Sequence, residues 1–268
     1  MKRLPMMGLV MAAVFWTVQA NSQELTGTLK KVKETGTITI GYRDSSIPFS
    51  YLDDNQKPIG FAIDICLRIV DAVKKELKLD QLKVEFNPVT SSTRIPLLSN
   101  GTVDLECGST TNNPERLKQV AFTNTHFLTA TRFVSKKASN LNSIDDLKGK
   151  TVVSSAGTTN IKQLTEANAA RNLGINIIPA KEHAESFLMV ETDRAVAVVL
   201  DDILLASFVA GSKDPAAYVM NFEPANKAKP MPMMIRASKR CISRGTSGIS
   251  TSCGKPVHAS TMPICSAL

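Results

Sequence analysis

The chain has 268 residues, of which 43% are hydrophobic, 5% are aromatic and five are cysteine. This length accommodates one or two ordinary domains with enough apolar side chains for a core, which excludes both a disordered chain and a small disulfide-stabilised scaffold. The 32 lysine and arginine residues exceed the 24 acidic residues and give a formal net charge of +8. Such a charge indicates nucleic-acid binding only if the basic residues share a surface of the folded body.

The basic excess lies at the two ends of the chain. Residues 1–20 carry a net charge of +2 and residues 220–268 a net charge of +6, so residues 21–219 contain 23 basic and 23 acidic residues. The body of the protein is therefore neutral, and the sequence predicts no nucleic-acid partner.

The first twenty residues have the pattern of an export signal. Lys2 and Arg3 precede an uncharged, mostly apolar run over residues 5–18, and Val18-Gln19-Ala20 offers small residues for cleavage. This run of about fourteen residues is shorter than the roughly 20 that cross a bilayer as a helix. We therefore predict a signal peptide over residues 1–20, cleaved near Ala20, and a periplasmic protein. An uncleaved membrane anchor is the alternative.

Strand and helix patterns alternate along the rest of the chain. Residues 36–42 alternate isoleucine with small or polar residues, as a strand does, and apolar residues at every fourth position from 61 to 77 form one side of a helix. Similar patterns predict strands or apolar runs at 82–86, 102–106, 127–134, 151–154, 175–178 and 195–200, and helices at 93–98, from 114, from 143, after 157, at 182–190 and at 201–209. The alternation indicates an α/β protein with mainly parallel sheets in two lobes.

Two loops of similar sequence occur in the two halves. Residues 108–112 read Gly-Ser-Thr-Thr-Asn and residues 157–160 read Gly-Thr-Thr-Asn, each after a predicted strand and at the start of a predicted helix. Hydroxyl groups and the free N–H groups of a helix N-terminus bind anions, and loops at the carboxyl ends of parallel strands line ligand crevices. The pair predicts a cleft that binds carboxylate or phosphate. For either loop alone, an ordinary helix N-cap is the alternative.

The segment TSSTRIPLLSNGTVDLECGSTTNNPERLKQVAFT, residues 90–123, resembles the signature region of periplasmic amino-acid-binding proteins of ABC transporters, the bacterial solute-binding protein family 3, and within it the glutamate/aspartate-binding branch. Segments 41–66, 147–160 and 180–206 extend the similarity, which covers about residues 28–219. The resemblance implies a two-lobed type II periplasmic-binding-protein fold, with lobe 1 at residues 28–128 and lobe 2 at residues 129–224.

The same resemblance implies the function. It implies a monomer that captures glutamate or aspartate in the cleft between the lobes and delivers it to an inner-membrane ABC permease. It implies no enzymatic activity, no catalytic residue, no metal and no cofactor. A secreted dehydratase-like enzyme on the same fold is the alternative, and it needs a general acid beside the substrate, for which Glu106 and His183 are the candidates.

The resemblance implies ten residues that bind the two carboxylates and the ammonium group of the ligand: Arg43, Ser91, Arg94, Ser109, Thr110, Thr111, Arg116, Thr159, His183 and Asp201. Arg116 takes the α-carboxylate together with the loop 109–111, and Asp201 receives the α-ammonium group. Arg43, Arg94 and His183 meet the side-chain carboxylate, while Ser91 and Thr159 add hydroxyl donors. Guanidinium groups suit this role because they bind carboxylates with two hydrogen bonds and stay charged.

Taken singly, several of these residues have ordinary explanations. Arg43 and Arg94 alone fit solvated surface charges, His183 alone fits an exposed helix residue, and Asp201 fits the N-cap of the helix that follows it.

The cysteines and the C-terminal tail depart from a simple pattern. Cys66 and Cys107 form either a disulfide or two buried thiols, and no cysteine has a spacing that indicates zinc. Residues 236–268 contain three cysteines and no acidic or aromatic residue. We predict that residues 225–268 form an aberrant tail in place of the return to lobe 1, whose C-terminal part is then missing or disordered. A reading-frame shift near Arg236 is the hypothesis, and a truncated, non-functional product is the third alternative.

Overall fold

A computed structural model of the chain describes residues 25–221, 229–231 and 234–235. The first part of the chain contains α1 (Gly27–Thr35), β1 (Thr37–Tyr42), β2 (Ser45–Ser46), β3 (Ser50–Leu52), β4 (Pro58–Ile59), α2 (Phe61–Glu76), β5 (Lys83–Pro88), α3 (Arg94–Asn100), β6 (Leu105–Cys107), α4 (Pro114–Leu117), β7 (Ala121–Phe122) and β8 (Phe127–Thr129). The second part contains β9 (Thr131–Lys136), β10 (Thr151–Ser155), α5 (Thr159–Arg171), β11 (Asn176–Ala180), α6 (His183–Glu191), β12 (Ala197–Asp201), α7 (Asp202–Gly211) and β13 (Tyr218–Asn221). Two short strands, β14 (Lys229–Met231) and β15 (Met234–Ile235), follow. The predicted export signal and residues 236–268 lie outside the described residues.

The first part is built on a five-stranded sheet in the order β5-β1-β6-β15-β7. β1 pairs in parallel with β5 and β6, and only β15 runs in the opposite direction. The buried face of α2 packs on this sheet, so the alternating isoleucines of β1, Ile38 and Ile40, meet Val70 and Val73 in one core. This core also contains a disulfide between Cys66 of α2 and Cys107 of β6, which decides between the two alternatives for these cysteines.

The second part repeats the same architecture. Its sheet has the order β11-β10-β12-β9-β13, and only β9 runs against the other four strands. Val153, Val198 and Leu200 pack with residues of α6 and α7 on one face of the sheet, and Val152, Ala197 and Val199 pack with α5 on the other. The prediction of an α/β fold with two lobes and mainly parallel sheets is therefore confirmed.

Strand pairing also shows how the chain passes between the two parts. β8 pairs antiparallel with β14, and β15 then joins the first sheet between β6 and β7. β14 and β15 are the described elements within the range 225–268 that the sequence predicts as an aberrant tail, and the rest of that range lies outside the described residues. No helix of the described residues is long and apolar enough to cross a membrane.

Three predicted elements differ from the structure. The apolar run 127–134 is interrupted at Ala130, so it forms β8 and β9, which belong to different sheets. The helix predicted from residue 143 is only a four-residue 3-10 helix, Ile144–Leu147, which Ser143 begins with a capping box. The loop 108–112 does not start a helix, because α4 begins at Pro114 and its N-cap is Asn113.

Candidate functional site

A small polar cavity lies where β6, β10 and β12 end and the two parts of the chain face each other. Its lining consists of polar and charged side chains from both parts: Arg94, Ser109, Thr111, Thr158, Thr159, Asn160, His183 and Asp201. Six of the ten predicted site residues are among these. The other four, Arg43, Ser91, Thr110 and Arg116, are buried as well but do not line the cavity.

Arg43 and Arg94 are almost completely buried, with 0% and 2% of their surface exposed. The interpretation of these residues as surface charges is therefore wrong. Arg43 follows β1, and its Nη2 donates to Oε2 of Glu182 at 2.8 Å. In both arginines Nε and Nη1 are buried and have no hydrogen-bond partner among the described residues. Buried donors without partners are costly, so these two side chains are suited to receive an acceptor with several lone pairs.

The charges around Arg94 shift its proton affinity. Burial lowers the pKa of Arg94 to about 9, and the nearby charges of Arg116 and Arg43 add to this shift, whereas Glu106 opposes it. Burial likewise raises the pKa of Glu106, and the nearby Arg94 and Arg43 oppose that rise. The cause in both cases is that burial holds a charged group away from water. Because the arginines carry their positive charges in this buried environment, a further anion beside them would be stabilised.

Arg116 is held between the two parts of the chain. Its backbone N–H donates to the side chain of Asn113 at 2.9 Å, its Nη1 donates to the carbonyl oxygen of Thr111 at 2.8 Å, and its Nη2 donates to the carbonyl oxygen of Gly157 at 3.0 Å. The hydroxyl groups of Thr111 and Thr159 lie 3.3 Å apart across the same gap. Arg116 therefore joins the two loops of similar sequence, residues 108–112 and 157–160.

The second of these loops does start a helix. Thr158 is the N-cap of α5, since its Oγ1 accepts from the N–H of Ile161 at 3.2 Å. Asn160 is buried and donates from Nδ2 to Oδ1 of Asp201 at 2.9 Å. Thr158 and Asn160 line the cavity but are absent from the predicted site. Both belong to the loop 157–160, and its similarity to the loop 108–112 could have identified them from the sequence.

The sequence offers an N-cap role as the ordinary explanation of Asp201. Asp201 does lie at the N-cap position of α7, but its side chain makes no capping hydrogen bond. Its carboxylate instead lines the cavity and accepts from Asn160. The N-cap position therefore does not account for this carboxylate.

His183 is the first residue of α6 and is buried, with 2% of its surface exposed. The interpretation of His183 as an exposed helix residue is therefore wrong. Its Nδ1 lies 2.7 Å from Oγ of Ser155. Burial holds the pKa of His183 well below its ordinary value, and the charges of Arg43 and Arg94 lower it further, so the imidazole is neutral at pH 7.

Ser91 is buried beside Gly157, on the side of the first part that faces the second loop. A methyl group added at Gly157 would lie 2.8 Å from the backbone oxygen of Ser91. The two parts therefore approach each other at backbone distance here. Within the described residues, no group of three or more His, Cys, Asp and Glu side chains is arranged to hold a metal ion.

Comparison with known proteins gives the chain's relatives. Residues 38–240 match the model of the bacterial extracellular solute-binding proteins, family 3. The chain is 57% identical over 204 residues to the L-glutamate/L-aspartate-binding protein of Pseudomonas aeruginosa, covering 76% of this chain and 68% of the relative. It is 49% identical over 188 residues to the glutamate/aspartate import solute-binding protein of Salmonella typhimurium, covering 70% of this chain and 62% of the relative. The chain thus spans about two thirds of the length of these proteins.

Among solved structures, the arginine-bound form of a truncated ArgBP from T. maritima has the same fold. It superimposes with a TM-score of 0.69 at 24% sequence identity, covering 80% of this chain and 93% of that protein. At this identity the similarity concerns the fold alone, and it agrees with the predicted type II architecture.

Proposed function

Because the chain belongs to the bacterial extracellular solute-binding proteins, family 3, we propose that it binds glutamate or aspartate in the cavity between its two parts. The observation that carries this proposal is the pair of buried arginines, Arg43 and Arg94, whose Nε and Nη1 donors have no partner among the described residues. A carboxylate offers several lone pairs and a negative charge, and both match such donors.

The proposed contacts follow the two ends of the ligand. The side-chain carboxylate meets Arg43, Arg94 and His183, and the hydroxyl groups of Ser91 and Thr159 add donors. At the other end, Arg116 and the loop with Ser109, Thr110 and Thr111 bind the α-carboxylate. Asp201 balances the α-ammonium group, which suits its buried carboxylate beside Asn160. A dicarboxylic amino acid therefore finds cations at both ends and an anion between them.

Capture by closure of two lobes is part of the proposal. Residues 28–128 form one lobe and residues 129–224 the other, and the paired strands β8 and β14 join them. Ligand bridges the lobes and stabilises the closed form, which an inner-membrane ABC permease recognises. The protein acts as a monomer in the periplasm after cleavage of its signal peptide near Ala20.

The experiment is calorimetry on the purified mature protein, after a cooperative thermal unfolding transition has been recorded. Glutamate and aspartate should bind saturably with one site per chain. Glutamine should bind more weakly, and arginine should not bind, because its guanidinium group would face the guanidinium groups of Arg43 and Arg94. Saturable binding of arginine with no binding of either dicarboxylate would contradict the proposal.

The relatives named above are binding proteins, so the dehydratase alternative gains no support from them. The truncated-product alternative is decided by the same experiment, since a chain that lacks a cooperative transition and binds none of the four amino acids would favour it. The nucleotide sequence around codon 236 tests the reading-frame shift directly.

A further inference from the structure

A short chain of buried hydroxyl groups ends on His183. Oγ of Ser186 lies 2.9 Å from Oγ of Ser155, which in turn lies 2.7 Å from Nδ1 of His183. Both serines are completely buried. Ser155 is the last residue of β10, and Ser186 is three positions after His183 on the same side of α6, so the strand and the helix together place all three groups.

Counting protons leaves two arrangements for this chain, because each serine hydroxyl has only one to donate. In the first, Ser186 donates to the carbonyl oxygen of Glu182 at 3.0 Å, Ser155 donates to Ser186, and Nδ1–H of His183 donates to Ser155. In the second, Ser186 donates to Ser155 and Ser155 donates to Nδ1. The carbonyl oxygen of Glu182 keeps a partner in the second arrangement, because the backbone N–H of Ser186 also donates to it at 3.0 Å.

The two arrangements leave the other ring nitrogen of His183 in different states. His183 lines the cavity and its Nδ1 is engaged, so Nε2 is the nitrogen available to a ligand. The first arrangement gives Nε2 a lone pair, which a carboxylate would repel. The second gives it an N–H, which a carboxylate accepts. A doubly protonated ring would also donate, but burial beside Arg43 and Arg94 disfavours a third positive charge there.

We propose that Ser155 and Ser186 are positioning residues that hold the neutral ring of His183 with its proton on Nε2, so that the ring donates to the side-chain carboxylate of the bound amino acid. This inference rests on the proposed function. The site thereby gains a hydrogen-bond donor without a further cation beside the two arginines, and binding takes up no proton. The carboxylate of Glu182 pairs with Arg43. Among the described residues, the charges that act on His183 are those of Arg43 and Arg94, and both disfavour a protonated, positively charged ring.

The first test reads the position of the proton directly. Nitrogen-15 spectra of the protein labelled at histidine should show Nδ1 of His183 unprotonated and Nε2 protonated between pH 6 and pH 8, and His183→Gln identifies the signals. Ser155→Ala should abolish this preference between the nitrogens. The matched control is Ser154→Ala, which removes the neighbouring buried hydroxyl of β10, bonded to the carbonyl oxygen of Val199 at 2.7 Å, and should leave the spectrum unchanged. A proton on Nδ1, or on both nitrogens, would overturn the proposal.

The second test measures binding. Calorimetry of glutamate in two buffers with different ionisation enthalpies should show no proton uptake, and Ser155→Ala should weaken glutamate about tenfold, the lower end for a hydrogen bond to a charged group. Uptake of about one proton, or an equal loss in Ser154→Ala, would overturn the inference. If the wild-type protein binds neither dicarboxylate, the proposed function fails, while the spectra still decide which nitrogen carries the proton.

Discussion

At the scale of single residues, the three arginines of the site differ in what their donors already do. Arg116 donates to the carbonyl oxygens of Thr111 and Gly157, whereas Nε and Nη1 of Arg94 have no hydrogen-bond partner among the described residues. Arg116 therefore also contributes to holding the two loops together. Arg94 has more donor capacity left for a ligand.

This difference leads to a prediction about selectivity. In the wild-type protein, exchanging the carboxylate of glutamate for the amide of glutamine leaves a buried guanidinium under-paired, which costs roughly 2 to 5 kcal/mol of binding free energy, or about 30-fold to several thousand-fold in affinity. Arg94→Met removes that guanidinium, so it should weaken glutamate strongly and glutamine less, and the preference for glutamate should narrow. Arg116→Met should weaken both ligands together, because both present the same α-carboxylate. Calorimetry with the two ligands measures the ratio. An equal loss of both affinities in Arg94→Met would place Arg94 at the α-carboxylate or in the fold.

At the scale of elements, the loop before α5 meets the first part of the chain without room for a side chain. A methyl group at Gly157 would lie 2.7 Å from Oγ of Ser92 and 2.8 Å from the backbone oxygen of Ser91. Gly157 also has a φ of +74°, which favours glycine.

Gly157→Ala should therefore hinder the approach of the two parts and weaken glutamate at least tenfold. Gly174→Ala is the matched control, because Gly174 has a similar φ of +62° but no atom within 4 Å of the added methyl group. Both variants carry the same backbone strain, so both should lose similar stability in urea. Only the first should lose affinity, and equal affinities in the two variants would show that the contact at Gly157 does not matter for binding.

The disulfide between α2 and β6 gives a second prediction at this scale. It closes a loop with a sequence separation of 41 residues, so replacing both cysteines, Cys66→Ala with Cys107→Ala, should lower the free energy of unfolding by about 2–4 kcal/mol. Urea unfolding monitored by circular dichroism measures this. A reductant should destabilise the wild-type protein by a similar amount and leave the double variant unchanged. An unchanged midpoint in the double variant would mean that the bridge contributes nothing to the stability of this core.

The sequence predicted the order of strands and helices well because most of them carry a clear period. The isoleucines of β1 face the core as predicted. The face predicted for α2 is only partly right, because Val73 and Leu77 of the four-residue repeat are buried but Phe61 is 45% exposed. The buried residues of α2 are Ala62, Ile63, Cys66, Val70 and Val73. It failed where the chain changes partners within a continuous apolar run, as at Ala130, since periodicity does not tell which sheet a strand joins. The site residues were predicted from the family resemblance rather than from any periodic pattern. Glu182, which pairs with Arg43 from 139 positions away, carries no local signal at all.

At the scale of the whole molecule, polar contacts between the two parts surround the cavity. Arg43 pairs with Glu182 at 2.8 Å on one side, with the N–H of Ala184 donating to Oγ of Ser45 at 3.3 Å nearby. On the other side Arg116 reaches Gly157 at 3.0 Å. Around the cavity, such polar groups can separate and meet again with little apolar surface exposed to water. Apolar contact between the parts lies elsewhere, since Leu204 of α7 belongs to the apolar cluster of the first part, with Ile203 and Phe208 packed against it.

The ion pair between Arg43 and Glu182 therefore has a global consequence. Glu182→Gln should leave buried Arg43 without its charged partner and shift the protein toward an open form, because losing one member of a buried pair leaves an uncompensated charge. Small-angle scattering of the ligand-free protein should show a larger radius of gyration than in the wild type. The control is Glu115→Gln, which removes the exposed pair with Lys162 across the same gap and should change little. Identical radii for Glu182→Gln and wild type would exclude this contribution to closure.

Stability as a function of pH is a property of the whole chain, and two histidines set its expected direction. Burial lowers the pKa of His183 and of His126, whose ring nitrogens lack hydrogen-bond partners among the described residues and whose ring lies against Phe49 and Phe61. Both bind a proton more readily when unfolded, so their contribution is complete above the unfolded pKa of about 6.5 and is lost as the pH falls below it. Glu106 acts in the opposite direction, because its pKa is raised in the folded protein.

The free energy of unfolding should therefore fall between pH 6.5 and pH 5.5 by up to about 1 kcal/mol from His183, and by less from His126, which is only partly buried. Urea unfolding at pH 7.5, 6.5 and 5.5 measures the slope. His183→Gln combined with His126→Phe, which keeps an aromatic ring against Phe49 and Phe61, should remove most of this dependence because neither replacement binds a proton. A wild-type protein that becomes more stable over this interval would show that Glu106 outweighs the histidines. A slope that persists in the double variant would assign the dependence to other groups.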